Sequence, residues 1–166
     1  MSSTSRDASA VVAGPALEAV AAELEAQGPL AVLSWAFETF GPGVAIATGF
    51  GVEGAALIDM AARVNPRPFV FFVDTGFHFE ETLALRTRIE RRYRIEIRAV
   101  EPDLTPDEQA DAYGVRLWHY DPDFCCSLRK VEPLERFLAG RDAWVTAIRR
   151  DQTAARATAR TVEWDA

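Results

Sequence analysis

Two adjacent cysteines, Cys125 and Cys126, are followed closely by two cations, Arg129 and Lys130. Neighbouring cysteines are poorly placed for an ordinary disulfide with each other because their side chains diverge. Thiolates beside cations suit ligation of a metal or an iron–sulfur cluster, and a position at a helix start would add the helix dipole. An all-cysteine four-iron cluster needs four thiolates, whereas the chain holds two cysteines. Two buried thiols that pack as small apolar groups stay an alternative.

A glycine-rich segment lies between a short apolar run and a helical pattern. It consists of Thr48, Gly49, Phe50, Gly51, Val52, Glu53 and Gly54. Glycine lets the backbone turn tightly, and the first amides of a helix can bind an anion. The segment lacks both the Gly-Lys-Ser/Thr ending of the P-loop and the dinucleotide fingerprint. It is predicted to be an anion-binding turn, with a flexible strand-to-helix turn as the alternative.

Asp74, Thr75 and Gly76 close the next apolar run. An aspartate at the end of a buried strand can accept a hydrogen bond from a ribose hydroxyl. It can equally cap its own turn through the loop amides, which is common.

Residues 149–160, called the arginine loop below, begin with Arg149 and Arg150 and include Arg156. Guanidinium forks match the oxygens of phosphate and sulfate groups. The segment is therefore a candidate anion site, with a solvated charged loop as the alternative.

Apolar periodicity predicts the elements that position these segments. Helices are predicted at residues 15–27, 29–40, 53–63, 80–93, 106–113 and 126–138, and strands at 44–47, 68–73, 95–100, 143–148 and, as a last edge strand, 161–164. Residues 118–124 are predicted to be irregular. The alternation predicts an α/β doubly wound fold with a mainly parallel sheet. Ligands bind beyond the carboxyl ends of such strands, so residues 48–53, 74–78 and 149–156 should converge on one crevice.

Length and composition restrict the function classes. The 166 residues suit one domain, predicted at residues 15–166 after a flexible N-terminus at residues 1–14. The net charge of -7 argues against a nucleic-acid partner, and the apolar runs are too short for a membrane span. Since the N-terminus lacks the apolar core of a signal peptide and two adjacent thiols suit a reducing compartment, the sequence predicts a cytoplasmic protein.

Taken together, residues 43–164 resemble the assimilatory adenylyl-sulfate and phosphoadenylyl-sulfate reductases. The cysteine segment, with Arg129, Lys130 and the Val-Glu-Pro-Leu that follows, is the most specific match. The glycine segment is similar to the family's Ser-Phe-Gly-x-Glu loop, and Asp74-Thr75-Gly76 with a later Glu-Thr resembles its Leu-Asp-Thr-Gly signature. The arginine loop and the strand before it resemble a Trp-x-Thr-Gly-x-Arg-Arg-x-Gln block.

The resemblance implies an adenine-nucleotide alpha-hydrolase-like fold. It also implies reduction of adenylyl sulfate or phosphoadenylyl sulfate to sulfite and AMP or its 3′-phosphate, with electrons from thioredoxin. In the family, a cysteine near the C-terminus attacks the sulfur, and the cysteine pair with a downstream Cys-x-x-Cys holds a 4Fe-4S cluster. By position, Cys125 and Cys126 are implied cluster ligands, and neither is expected to be the nucleophile. The implied substrate-binding residues are Thr48, Gly49, Phe50, Gly51, Glu53, Asp74, Thr75, Gly76, Lys130, Arg149 and Arg156.

Three positions depart from the family pattern: Gly49 replaces a serine, Gly54 an acidic residue and Ala147 a glycine. We also expect the chain to lack the family's C-terminal segment and to be catalytically incomplete, either as a truncated sequence or as a degenerate member. A noncatalytic adenine-nucleotide-binding module stays the main alternative. A nucleotide pyrophosphatase or ligase is disfavoured because the expected Ser-Gly-Gly-x-Asp-Ser loop is absent from residues 48–54. A homo-oligomer stays open.

Overall fold

A computed structural model of the protein describes residues 15–165, so the prediction of a flexible segment at residues 1–14 lies outside the described residues. Four strands form one parallel sheet in the order β3-β2-β1-β4. The strands are β1 (Val44–Ala47), β2 (Val70–Val73), β3 (Ile97–Val100) and β4 (Ala143–Val145). The predicted α/β class with a parallel sheet is confirmed.

Helices surround and connect the strands. They are α1 (Pro15–Gln27), α2 (Pro29–Phe40), α3 (Val52–Val64), α4 (Glu80–Tyr93), α5 (Pro106–Tyr113), α6 (Leu117–Tyr120), α7 (Pro122–Cys126) and α8 (Glu132–Leu138). A π-helical segment, Ser127–Val131, joins α7 to α8. Within residues 15–165, no helix is both long and apolar enough to cross a membrane.

The core lies between the central strands and the helices that cover them. β1 and β2 are apolar along their whole length because helices cover both faces of a parallel sheet. Ile46 and Phe72 belong to a cluster with Ile58 of α3, whereas Phe71 packs with Phe137 of α8 on a second cluster. Removal of this apolar surface from water is the main stabilising contribution to the fold.

The sheet is shorter than predicted at four places. β2 begins at Val70 rather than residue 68, where its ladders with β1 and β3 begin. β4 ends at Val145 rather than residue 148, since the last pair in its ladder with β1 joins Ile46 to Val145. β3 begins at Ile97 rather than residue 95, where its ladder with β2 begins. Residues 161–164 form no strand; the Thr161 hydroxyl instead bonds Glu25 of α1.

Two helical predictions also differ from the structure. The amphipathic pattern of residues 80–93 predicts that Leu83 faces the core, whereas Leu83 is 38% exposed. The space over Phe72 is instead filled by Arg86, whose guanidinium lies 5.0 Å from the ring centroid. Residues 118–124, predicted to be irregular, contain most of α6 and the start of α7, where the Asp121 carboxylate caps α7 by accepting from the Phe124 amide.

Candidate functional site

A cleft formed by described residues lies at the carboxyl ends of the strands, at the point where the strand order reverses. From β1 the chain proceeds to β2 and β3 on one side, whereas β4 pairs on the other side of β1. Such switch points are the usual ligand sites of open α/β sheets. The cleft has a volume of about 380 Å³, and its walls are Ala47, Thr48, Gly49, Gly51, Glu53, Gly54, Phe71, Phe72, Val73, Leu134, Trp144, Thr146, Ala147, Ile148, Gln152 and Arg156. This size is suitable for a small organic ligand such as a mononucleotide.

The glycine segment forms one wall of the cleft through an unusual backbone turn. Phe50 has a left-handed φ of 61°, a conformation that costs a residue with a side chain about 1 kcal/mol or more. Its ring is buried and packs edge-on against Phe72 at 5.0 Å, which holds the turn in place. The Phe50 amide also donates to the buried Thr48 hydroxyl at 3.0 Å. The turn leads directly into α3, so its first amides provide donors for an anion.

The two glycines that depart from the family pattern have opposite surroundings. A Cβ atom on Gly49 would meet no atom within 4 Å, whereas one on Gly54 would lie 2.6 Å from the Thr48 hydroxyl oxygen. Gly54 is therefore adapted to Thr48, and the glycine at position 49 leaves open space beside the cleft.

We expect Gly54→Ala to lower the free energy of unfolding by about 1–2 kcal/mol, because the Thr48 hydroxyl must move even though alanine favours helix. The matched change Gly49→Ala should alter it by less than about 0.5 kcal/mol. Urea unfolding followed by circular dichroism measures both. Stabilisation by Gly54→Ala would contradict the close contact with Thr48, and adding Thr48→Ala should restore much of the lost stability.

The loop after β2 does not line the cleft, although Val73 immediately before it does. Asp74 accepts from the Gly76 amide at 3.0 Å, and the Thr75 hydroxyl accepts from the Phe77 amide at 3.3 Å. Gly76 has a φ of +72°, and a Cβ atom there would lie 2.8 Å from a Pro106 carbon. Asp74 therefore caps its own turn, and the turn packs against the start of α5.

A buried arginine joins this turn to the cysteine segment. Arg129 is 3% exposed and donates to the carbonyl oxygens of Thr75 and Leu104 and to the Gln109 side-chain oxygen. Burial lowers the pKa of Arg129 because it disfavours the charged form, while electrostatic interaction with the nearby Cys125 and Asp74 opposes that shift. Sequence reasoning missed this role because Arg129 was considered only as a cation beside the thiols.

The two cysteines lie at the end of α7, where the helix continues into the π-helical segment. The expectation that the pair begins a helix is wrong, because Pro122 begins α7 and the Asp121 carboxylate supplies its cap. Cys125 is buried, with its sulfur 3.9 Å from the Gln109 side-chain nitrogen, and Cys126 is half-buried. Neither residue lines the cleft.

The described residues do not supply a complete ligand set for a metal centre. No group of three or more His, Cys, Asp or Glu side chains in residues 15–165 is arranged to hold a metal ion. The two thiols amount to half of an all-cysteine four-iron set. Lys130, next to the buried Arg129, is exposed.

The arginines of the arginine loop contact different parts of the structure. Arg149 forms an ion pair of 3.2 Å with Glu53, a wall residue of the cleft, and another with Asp151. Arg156 lines the cleft and donates to Gln152, which also lines it. Arg150 instead faces away from the cleft and pairs with Glu25 of α1.

Of the substrate-binding residues expected from sequence, the cleft gathers Thr48, Gly49, Gly51, Glu53 and Arg156. Arg149 is connected to the cleft through its ion pair with Glu53. Phe50 does not line the cleft, but its buried ring packs in the core beneath the glycine turn. The other walls were not among the substrate-binding residues expected from sequence, and they include Leu134 and Trp144. Strand order could have identified Trp144 as a wall residue. The strand order reverses between β1 and β4, and Trp144 lies on β4 beside that point.

Comparison with known proteins decides the family. A model of the phosphoadenosine phosphosulfate reductase domain matches residues 43–166, which include all four strands and the cleft. The chain belongs to this family.

Individual relatives carry names of two related kinds. The chain is similar to an adenosine 5′-phosphosulfate reductase of Halalkalibacterium halodurans, with 46% identity over 86% of this chain and 62% of that protein. It is also similar to a phosphoadenosine 5′-phosphosulfate reductase of Gloeobacter violaceus, with 43% identity over 90% of this chain and 62% of that one. The chain thus spans about three fifths of the length of these relatives.

A solved structure supports the family fold. The crystal structure of a phosphoadenylyl-sulfate reductase from Candida auris, in a phosphate complex, superposes with a TM-score of 0.71 at 28% identity. The match covers 82% of this chain and 68% of that one. The cleft at the switch point therefore belongs to a fold shared within the sulfonucleotide reductase family.

Proposed function

We propose that this chain is the nucleotide-binding part of a reductase that converts adenylyl sulfate, or phosphoadenylyl sulfate, to sulfite and AMP, or its 3′-phosphate, in sulfate assimilation. Membership of the family supports the reaction class. The observation that carries the proposal is the cleft between the ends of β1 and β4, which combines the glycine turn with Arg156.

In this proposal the nucleotide lies in the cleft with its phosphosulfate toward the arginine loop. Phosphate oxygens accept hydrogen bonds from the first amides of α3 and from the Arg156 guanidinium. Arg149 releases part of its ion pair with Glu53 to contact the sulfate, which keeps a cation close to the scissile S–O bond. The base and ribose lie against the apolar walls, including Trp144 and Leu134.

The proposed reduction requires two electrons from a dithiol. One thiolate attacks the sulfate sulfur, the S–O bond to AMP breaks, and AMP leaves with the bonding electron pair. This forms an S-sulfocysteine. A thiol of the dithiol then attacks the sulfonated enzyme sulfur, so that sulfite leaves and a mixed disulfide forms, and the second thiol of the dithiol releases the enzyme thiol by closing its own disulfide. We propose thioredoxin as the donor of the two electrons. Because Cys125 is buried and neither cysteine lines the cleft, we propose that the attacking thiol is neither Cys125 nor Cys126.

We further propose that Cys125 and Cys126 contribute two ligands to a 4Fe-4S cluster whose other two ligands come from another source. The 166 residues alone do not fit a complete cluster, and no step above depends on one. Lys130 is exposed and lies outside the cleft walls, and we propose its contact with the sulfate on the family resemblance alone. A cytoplasmic location is proposed because free adjacent thiols persist in a reducing compartment.

Titration calorimetry with AMP and GMP tests the proposed site. We expect AMP to bind and GMP to bind at least about tenfold more weakly, because guanine would place more polar groups (O6, N1–H and the 2-amino group) against the apolar walls than adenine does.

Arg156→Gln should weaken AMP binding by about tenfold through loss of a charge-assisted hydrogen bond. Arg91→Gln, on the exposed face of α4, is the matched control and should have no effect. Equal affinity for GMP, or no AMP binding at millimolar concentration, would refute an adenosine site.

A further inference from the structure

The helix α1 lies outside the residues matched by the family model, yet two of its carboxylates hold the arginine loop. Arg150 donates to both Glu25 oxygens at 2.7 Å, in a bidentate arrangement. Arg160 pairs with Glu18 at 3.0 Å. Glu18 and Glu25 lie seven positions apart, so they share one face of α1.

These and two further contacts hold the two ends of the arginine loop together. The Arg150 Nε also donates to the Ala159 carbonyl oxygen at 2.7 Å, which joins the beginning of the loop to its end. The Thr161 hydroxyl, just after the loop, bonds the same Glu25 carboxylate. Glu25 therefore connects Arg150, near the start of the loop, to Thr161, just after its end. The segment between these two residues contains Arg156, which lines the cleft.

Bidentate pairing distinguishes this contact from ordinary surface ion pairs. A single exposed pair contributes little because ordering two long side chains offsets the attraction. Here one carboxylate accepts from two guanidinium nitrogens and a hydroxyl, and the same guanidinium is fixed by a backbone carbonyl. Arg150 holds the pKa of Glu25 below its ordinary value through its hydrogen bonds, so the carboxylate is charged at neutral pH.

We propose that Glu25 is a positioning residue for the phosphate-bearing part of the ligand. By fixing Arg150 and Thr161 it orders the arginine loop before the ligand arrives, so that binding does not have to supply the cost of ordering Arg149 and Arg156. Arg150 then acts as a structural arginine, whereas its neighbour Arg149 pairs with Glu53 of the cleft wall. The inference rests on the proposed function, since it assigns these cations to the ligand's anionic group.

The test compares AMP with adenosine, which lacks the phosphate, by calorimetry on the full chain. Glu25→Gln should weaken AMP binding by about three- to tenfold while changing adenosine binding by less than about twofold. Glu23→Gln is the matched control because it removes the same charge from an exposed position of α1 that contacts Gln27 rather than the loop. Hydrogen exchange should show faster exchange of the loop amides in Glu25→Gln than in Glu23→Gln.

A double-mutant cycle with Arg150→Gln separates positioning from direct contact. If Glu25 acts through Arg150, the two single changes and the double change should weaken AMP binding to a similar extent. A larger loss for Arg150→Gln that adds to the loss for Glu25→Gln would make Arg150 a ligand contact and overturn the proposal. Equal losses for AMP and adenosine would also overturn it, by indicating a general disturbance of the fold.

Failure of this inference is distinguishable from failure of the proposed function. AMP binding by the unmodified chain that is insensitive to Glu25→Gln overturns the positioning role alone. Absence of AMP binding by the unmodified chain overturns the nucleotide site and the positioning role together.

Discussion

Arg129→Met is expected to lower the free energy of unfolding by about 3 kcal/mol or more. The change leaves the acceptors on Thr75, Leu104 and Gln109 without their donor, and each buried acceptor left unpaired costs about 1–3 kcal/mol. Methionine fills much of the volume and avoids burying a charge, which offsets part of the loss. Urea unfolding monitored by circular dichroism and by tryptophan fluorescence gives the difference.

Arg91→Met provides the matched control, because Arg91 is exposed on α4 and the same chemical change there should cost less than about 0.5 kcal/mol. Arg129→Lys should not restore stability, since one ammonium group cannot reach three acceptors in a fork geometry. A loss below about 1 kcal/mol in Arg129→Met would show that water satisfies these acceptors.

The 166-residue chain is expected to release no sulfite above background from adenylyl sulfate in the presence of reduced thioredoxin, even at concentrations where AMP binds. Nucleophilic attack requires a thiolate within reach of the sulfur and in line with the leaving oxygen. Cys125 is buried beside Gln109, and neither cysteine lines the cleft. Release of labelled sulfite, measured beside AMP calorimetry on the same preparation, separates binding from turnover.

The adenosine 5′-phosphosulfate reductase 2 of Bacillus subtilis, which is 42% identical over 76% of this chain, serves as the positive control for the assay. Sulfite release by the 166-residue chain that disappears in Cys125→Ser or in Cys126→Ser would make one of the pair the nucleophile. That result would replace the proposed ligand role of the pair.

Local signals in the sequence identified most of the elements. The continuous apolar runs identify β1 and β2 because both faces of these strands are covered. The three-residue spacing of Thr105 and Glu108 is typical of a capping box, and the two residues form one, with hydrogen bonds in both directions. Such features depend on residues a few positions apart, and so a single sequence contains them.

Features that depend on residues far apart in the sequence could not be predicted in the same way. The burial of Arg129 requires three acceptors contributed by the turn after β2, the segment before α5 and α5 itself. The separation of Arg149 from Arg150 depends on Glu53 and Glu25, which lie far away in the chain. Convergence of the glycine segment and the arginine loop was predictable from strand order, whereas the local capping by Asp74 was left open between two interpretations.

Because β1 pairs with β4, the proposed ligand site forms late during folding. β2, β3 and most of the helices lie between these two strands in the chain. Closing so long a loop is entropically costly, and parallel pairing of this kind is slow. During synthesis β1, β2 and β3 leave the ribosome and can associate first, whereas the wall formed by Trp144, Thr146 and Arg156 follows only with the last strand. On the proposed function, a nucleotide meets the full cleft only after β4 has paired with β1, and its binding would stabilise the formed sheet rather than guide its assembly.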